Sequence, residues 1–235
     1  MTTETTVHPP HAALTVAYLL SLSGGFLDAF TYVAHGKVFA NAMTGNIILL
    51  GVSATAGEWR QALNHVPPLI AFVFGVFTAQ AIKLPRLDPH WPALLSLILE
   101  IIVLAIIAFL PGSFPDIWIV LSIAFAAAVQ NSSFTQVRAW SYNSVVTTGN
   151  LRRFGEALFT GAIPRRNPEM LTQARIFGAI CLAFLTGALI GGLGTRMLHN
   201  AALAIPVLVL IVVLRLCWRP YPQSTADGGD MKAPS

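Results

Sequence analysis

Long apolar stretches without charge dominate the pattern of hydrophobic and polar positions along the chain. Six of them are long enough to cross a hydrocarbon core of about 30 Å, which takes about 20 helical residues. Backbone groups in lipid must be paired internally, and these continuous runs lack the alternation of barrel strands, so each predicts a helix. The pattern therefore predicts an all-α fold, a polytopic transmembrane helical bundle. The approximate spans are Leu14–Ala34, Val66–Ile82, Pro92–Leu110, Ile117–Val137, Ile176–Thr195 and Met197–Leu214.

Two further segments share the tripeptide Thr-Gly-Asn and are called the TGN segments below. The first, Val38–Gly57, has no charged residue and could either span the membrane or enter it and return. The second, Tyr142–Pro164, carries Arg152, Arg153 and Glu156 near its middle. Three central charges in a lipid-exposed span cost several kcal/mol, so we expect the second segment not to cross.

The two TGN segments indicate an internal duplication. A shift of 104 positions places Thr44-Gly45-Asn46 on Thr148-Gly149-Asn150 and gives eight identities over the 37 positions from Ser21 to Gly57, where chance gives about two or three. With a gap, Ala71-Phe72-x-x-Gly75 also matches Ala183-Phe184-x-x-Gly187. The chain thus predicts two units, each of three spans plus one short discontinuous TGN segment. The predicted layout is a polar N-terminal tail (1–13), a first repeat (14–110), a second repeat (111–217) and a disordered C-terminal tail (218–235).

Composition agrees with a membrane protein. Of the 235 residues, 55% are hydrophobic and 10% are charged, against about 25% charged in an ordinary soluble domain. A net charge of +4 is compatible with binding to nucleic acid. In membrane proteins, however, Lys and Arg are concentrated in cytoplasmic loops. We therefore expect the charge to reflect the orientation of the chain in the membrane, and we expect no nucleic-acid partner.

The basic residues discriminate among topologies. Six spans put Lys37, Arg60 and Arg196 on one side and eleven basic residues on the side of both termini. If the first TGN segment also crosses, the basic residues divide twelve to two and the N-terminus lies outside. If both TGN segments cross, Arg152 and Arg153 fall inside the bilayer and the remaining twelve basic residues divide only seven to five. Charge alone leaves six and seven spans open, and the C-terminus is cytoplasmic in both. The eleven are Lys83, Arg86, Arg138, Arg152, Arg153, Arg165, Arg166, Arg175, Arg215, Arg219 and Lys232.

Repeat symmetry favours six spans. Three spans per half is an odd number, so the two halves would be inserted in opposite orientations. Such an inverted repeat is a common plan of secondary transporters.

The TGN motif is chemically suited to a helix end. Gly loses backbone entropy in a helix, and Thr and Asn side chains compete for backbone hydrogen bonds. In transporters, discontinuous segments present free backbone groups to a substrate or ion. The alternative, a packing role in which Thr and Asn bond to neighbouring backbone, stays open.

Asp28 lies inside the first span, where an ionisable side chain is a candidate proton or cation site. Thr31 and Tyr32 follow at i+3 and i+4 on the same face and could hydrogen-bond its carboxyl. A helix-packing hydrogen bond is the alternative. In the second half, Gln130 and Asn131 supply polar groups near the equivalent position, while Glu100 is a secondary acidic candidate within the third span.

Signatures of catalysis and cofactor binding are missing from the sequence. It has no GxSxG elbow, Walker A loop, GxGxxG or HExxH, and its six histidines lie at segment ends or in the N-terminal tail. We therefore expect no enzyme activity, no catalytic residues, no cofactor and no metal site.

Four motifs resemble the YoaK-like family of small bacterial membrane proteins, a family named as a domain of unknown function. They are GGFLDAFTY (Gly24–Tyr32), FANAMTGN (Phe39–Asn46), AVQNSS (Ala128–Ser133) and VVTTGNL (Val145–Leu151). The resemblance covers about residues 14–217 and implies a multi-pass protein of the bacterial inner membrane with no established substrate. It departs from the family pattern at Ala128, often Gly, and at Asn150, often Thr. The residues that match are Asp28, Ala29, Tyr32, Asn41, Thr44, Gly45, Asn46, Gln130, Asn131, Thr148 and Gly149.

Two functional hypotheses follow. The first is a secondary transporter or permease-like protein whose lining residues for a small solute or coupling ion are Asp28, Thr31, Tyr32, Asn41, both TGN tripeptides, Gln130 and Asn131. The second is a non-transporting membrane scaffold or partner subunit, in which the same polar residues join helices. Either would have the lipid bilayer as a partner, and the sequence leaves a homo-oligomer open.

Overall fold

A computed structural model of the chain describes residues 13–84, 90–138, 140–144, 147–163 and 166–218. Over these residues the prediction of an all-α helical bundle is confirmed. A short β-hairpin of two strands, each of two residues, is also present. The elements are α1 (Leu14–Ala34), α2 (Met43–Thr55), α3 (Trp59–Asn64), α4 (Val66–Lys83), α5 (His90–Ala108), α6 (Asp116–Ser133), β1 (Gln136–Val137), β2 (Trp140–Ser141), α7 (Thr147–Ala162), α8 (Pro168–Leu198), a 3-10 turn (His199–Leu203) and α9 (Ala204–Cys217).

The helices are long and apolar enough for a multi-pass membrane protein. Within the described ranges, five helical segments meet that description: Leu14–Ala34, Trp59–Lys83, His90–Ala108, Asp116–Ser133 and Pro168–Cys217. The last contains both α8 and α9, which the 3-10 turn separates. Large apolar side chains such as Phe74, Phe77, Phe109 and Leu189 lie exposed on the outside of the bundle. A surface of this kind suits lipid as its solvent.

Helix boundaries agree with the apolar pattern at α1 and differ from it further along. α6 ends at Ser133, four residues before the predicted Val137, because the chain turns into the hairpin in which Val137 pairs with Trp140. The turn between the last two helices lies at His199–Leu203, where His199 has a φ of 50°. α9 therefore begins seven residues later than predicted.

α1 packs most extensively on α8, and glycines allow the close approach. Gly187 faces the backbone carbonyl of Leu22, and Gly191 faces Phe26, so closely that a Cβ at either position would overlap that backbone. The earlier residue of α8 faces the earlier residue of α1, and the later faces the later. The two helices therefore run in the same direction.

α4 packs on α6 in a similar way. A Cβ at Gly75 would lie 2.6 Å from both the Phe125 carbonyl oxygen and the Ala128 Cβ. Further along both helices, the Lys83 ammonium donates to the Ser132 carbonyl oxygen at 2.7 Å. These two helices therefore also run in the same direction.

α1 and α6 run in opposite directions. At one end, His35 Nδ1, just after α1, lies 2.7 Å from Asp116 Oδ1 in the first turn of α6. At the other end, Ala17 near the start of α1 shares a hydrophobic cluster with Val137, which follows α6. α9 also packs on α1.

The predicted tails, 1–13 and 218–235, lie outside the described residues except for Ala13 and Trp218. Among the basic residues used to orient the chain, Arg86, Arg165, Arg219 and Lys232 also lie outside them.

Candidate functional site

A cavity of about 640 Å³ lies where α1, the starts of α2 and α7, and α4, α6 and α8 meet. It is open to the outside, since Tyr32, Thr44 and Thr148 on its wall are exposed. Both halves of the chain contribute to it. The lining residues are Asp28, Ala29, Tyr32, Val33, Phe39, Asn41, Ala42, Met43, Thr44, Phe72, Asn131, Asn143, Thr147, Thr148, Phe184, Ala188 and Gly192.

Asp28 is the buried acid of this cavity, with only 4% of its surface exposed. Its Oδ1 accepts hydrogen bonds from the backbone N–H groups of Asn41 at 2.7 Å and Ala42 at 3.4 Å. Its Oδ2 is buried and has no hydrogen-bond partner within the described part of the chain. The carboxyl thus joins α1 to the loop before α2 through one oxygen, while its other oxygen is without a donor in the described chain.

The predicted partners of the Asp28 carboxyl are wrong. The Thr31 hydroxyl donates to the backbone, at 3.1 Å from the Leu27 carbonyl oxygen, and accepts from the Ala40 N–H at 3.1 Å. The Tyr32 ring stacks on Phe39, with centroids 5.0 Å apart. The physical reason is that the loop after α1 folds back along the helix and brings backbone donors to the carboxyl.

The two TGN tripeptides begin helices. α2 starts at Met43 and α7 is described from Thr147, so Thr44 and Thr148 each occupy the second described position of a helix. Both threonines line the cavity, one from each half. The first turns of these two helices therefore face the same space.

The TGN asparagines point away from the cavity and tie each helix to the loop before it. The Asn46 side chain donates to the Phe39 carbonyl oxygen at 2.7 Å and accepts from the Phe39 N–H at 2.9 Å. The Asn150 side chain donates to the Asn143 carbonyl oxygen at 2.6 Å. The shift of 104 positions that relates Asn46 to Asn150 also relates Phe39 to Asn143, so the contact occurs in both halves.

The TGN glycines do not line the cavity either. A Cβ at Gly45 would lie 2.8 Å from the Phe39 ring, whereas Gly149 has open space around it. Gly45 therefore allows close packing, and no such need is visible at Gly149.

The remaining predicted site residues divide between the cavity and the core. Asn41 and Asn131 line the cavity, and Asn131 Oδ1 accepts from the Ser144 hydroxyl at 3.5 Å. Gln130 is buried in α6 but does not line the cavity. Glu100 is buried in α5, away from the cavity, and its Oε2 has no hydrogen-bond partner in the described chain.

Three phenylalanines of the cavity were not among the predicted site residues. Phe39, Phe72 and Phe184 line it beside Tyr32. The signal was present, because Phe72 and Phe184 are the matched phenylalanines of the Ala-Phe-x-x-Gly repeat. An apolar residue in an apolar span does not otherwise stand out.

The charges that follow the second TGN tripeptide lie outside the cavity. Arg152 donates to Glu156 Oε1 at 2.7 Å, and this hydrogen bond and the glutamate charge raise the pKa of the Arg152 guanidinium. Arg153 lies over the Phe177 ring, 5.5 Å from its centroid. Across the described ranges, no three His, Cys, Asp or Glu side chains come together as a metal site would need.

Comparisons with known proteins identify relatives. The family described as "Protein of unknown function (DUF1275)" matches residues 16–216. The "UPF0700 transmembrane protein YoaK" of Bacillus subtilis (strain 168) is 23% identical over 206 residues, which cover 85% of this chain and 92% of that protein. No solved structure matches.

Proposed function

The chain belongs to this family of membrane proteins of unknown function, and from that premise we propose that it is a secondary transporter or permease-like protein for a small solute. The observation that carries the proposal is the cavity between the two halves, with a buried carboxyl and two helix starts on its wall. Transporters bind solutes near the bilayer midplane, between their repeats, at discontinuous helices.

The packing of the bundle supports an inverted repeat of 14–110 and 111–217. The first helix of each half packs on a long helix of the other half, α1 on α8 and α6 on α4. The glycines at these crossings, Gly187 and Gly75, are the matched glycines of the Ala-Phe-x-x-Gly repeat. The opposite directions of α1 and α6 agree with halves inserted in opposite orientations.

The position of α2 supports a re-entrant TGN segment and six spans. Asp28 lies six residues before the end of α1, about 9 Å back along the helix axis. Because its carboxyl binds the backbone of Asn41 and Ala42, the loop after α1 returns to this depth before α2 begins. α2, with 13 residues, would then leave on the side from which the loop entered.

The proposed location is the bacterial inner membrane, with the C-terminus cytoplasmic. The segregation of Lys and Arg supports this orientation. The proposed roles include no enzyme activity, cofactor or nucleic-acid partner, and a homo-oligomer is compatible with all of them.

A non-transporting scaffold or partner subunit is the second candidate. It is favoured by the TGN asparagines, whose side chains serve as contacts between helix and loop. Under this alternative the cavity would be a gap between halves that no solute enters.

Solute flux separates the two functions. Proteoliposomes loaded with a mixture of amines, carboxylates, sugars and amino acids would be diluted, and efflux followed by mass spectrometry. We expect the wild-type protein to release at least one solute, and Asp28→Asn to slow that release at least tenfold, because the replacement removes the charge of the cavity. Its Oδ1 can still accept from Asn41 and Ala42, so the fold should persist.

Glu100→Gln is the matched control, since it neutralises a second buried acid that lies away from the cavity. Its flux should equal that of the wild type. Equal efflux from wild-type and protein-free vesicles for every solute would contradict transport and favour the scaffold.

A further inference from the structure

We propose that the cavity binds a small organic cation, a protonated amine with an apolar body, whose ammonium donates to Oδ2 of Asp28. This inference rests on the proposed function, because it specifies the class of solute that the cavity would carry. It is also testable without transport, since binding at equilibrium needs only the folded protein.

The first argument is the unpaired carboxyl oxygen. Asp28 lines the cavity with 4% of its surface exposed, and its Oδ1 already has two backbone donors. Its Oδ2 has none among the described residues. A buried carboxylate oxygen without a donor is unfavourable, and a ligand N–H that reaches it removes that cost.

The second argument is the charge of the cavity wall. Asp28 is the only Asp, Glu, Lys or Arg among the lining residues that the structure describes, so the carboxyl has no cationic partner among them. The start of α2 carries partial positive charge, but the N–H groups of Asn41 and Ala42 just before it already bind Asp28. A second anion beside the carboxylate would be repelled, whereas a cation would complete the site.

The third argument is the apolar part of the wall. Four aromatic residues line the cavity, Tyr32, Phe39, Phe72 and Phe184, with Met43 beside them. Aromatic faces attract ammonium groups and also pack against hydrocarbon. A volume of about 640 Å³ lies within the range of small-molecule sites. Hydrated inorganic ions would leave most of this apolar wall in contact with water, so an organic cation fits better.

Binding to the purified protein in lipid nanodiscs tests the inference. The probes are butylammonium and 2-phenylethylammonium, with 1-pentanol and 3-phenyl-1-propanol as neutral analogues and pentanoate and 3-phenylpropionate as anionic ones. Isothermal titration calorimetry would compare wild type, Asp28→Asn and Glu100→Gln. We expect the wild type and Glu100→Gln to bind the ammonium probes alike, the aryl one more tightly, and Asp28→Asn to bind them at least tenfold more weakly.

Folding is checked by thermal unfolding of each variant without ligand. If Asp28→Asn unfolds early, Phe184→Leu provides the second test, because it should weaken 2-phenylethylammonium more than butylammonium. The inference is overturned if neither ammonium binds, if Asp28→Asn binds them as tightly as the wild type, or if the alcohols or carboxylates bind equally well.

The outcomes also separate this inference from the proposed function. If amines bind in a way that depends on Asp28 but no solute is transported, the proposed class of ligand is supported and the proposed transport is contradicted. If sugars or carboxylates are transported and Asp28→Asn leaves that flux unchanged, transport is supported and the proposed amine site is contradicted.

Discussion

At the scale of single residues, Asn46 and Asn150 make equivalent hydrogen bonds in the two halves. Asn46 is fully buried and Asn150 is 3% exposed, and each bonds to the backbone seven residues earlier. A side-chain amide that pairs with buried backbone leaves that backbone unsatisfied when it is removed. The asparagines therefore fix the loop conformation that places Asn41 and Asn143 on the cavity wall.

Asn46→Ala and Asn150→Ala should each lower the free energy of unfolding by about 1–3 kcal/mol, because each removes a hydrogen-bond donor from a partly buried carbonyl group. Denaturation in mixed micelles measures this loss. Thr44→Ala and Thr148→Ala are the controls, with expected changes below about 0.5 kcal/mol, since neither hydroxyl has a hydrogen bond within the described chain. Equal losses in all four variants would contradict this division of roles.

Sequence reasoning located Asp28 but not its partners. A carboxyl in an apolar run is conspicuous, so the residue could be found from the pattern alone. Its donors, the N–H groups of Asn41 and Ala42, come from a loop that reverses along α1. Hydropathy does not encode such a reversal, and backbone donors have no residue type to reveal them. For the same reason Thr31 and Tyr32, correctly placed on one helix face, were assigned the wrong partner.

At the scale of elements, the α1–α8 crossing depends on the absence of side chains. Gly187 faces the Leu22 carbonyl, Gly25 faces the Phe184 carbonyl, and Gly191 faces Phe26. Close backbone approach through small residues is a common basis of helix association in membranes. The crossing also sets the position of Asp28 relative to α8, because Gly25 and Phe26 lie in the preceding helical turn.

Gly187→Ala should lower the free energy of unfolding by about 1–3 kcal/mol or more, since its Cβ would overlap a backbone carbonyl that cannot rotate away. Gly192→Ala, in the same helix, has no atom within 4 Å of its added Cβ and should be neutral or slightly stabilising through helix propensity. Thermal unfolding in detergent compares the two. A Gly187→Ala variant as stable as Gly192→Ala would show that the helices can separate without cost.

The apolar pattern predicts most of the helices, but it predicts where they end less well. α1 has the predicted bounds because polar residues and Gly36, with a φ of 79°, follow it directly. α6 ends early although Phe134 and Val137 continue the apolar run, since both are buried in the core beyond the helix. α3 was not predicted at all, because its six residues are too few to show a period.

At the scale of the whole molecule, six spans place Lys37 outside and Glu169 inside, while seven spans place both inside. Single cysteines at these two exposed positions can be tested with a membrane-impermeant maleimide on intact cells. We expect Lys37→Cys to be labelled directly and Glu169→Cys only after permeabilisation. The unaltered protein, with Cys217 buried and Cys181 partly so, sets the background. Protection of Lys37→Cys in intact cells would contradict six spans and favour seven.

The exchange of helices between halves also has a consequence for biosynthesis. α1 enters the membrane with Ser21, Ser23, Asp28 and Thr31, which all become buried in the finished bundle. The helix that covers most of it, α8, is synthesised roughly 130 residues later, so this contact is among the most distant in sequence. During translation the ribosome must therefore complete most of the second half before these polar side chains of α1 are shielded from lipid.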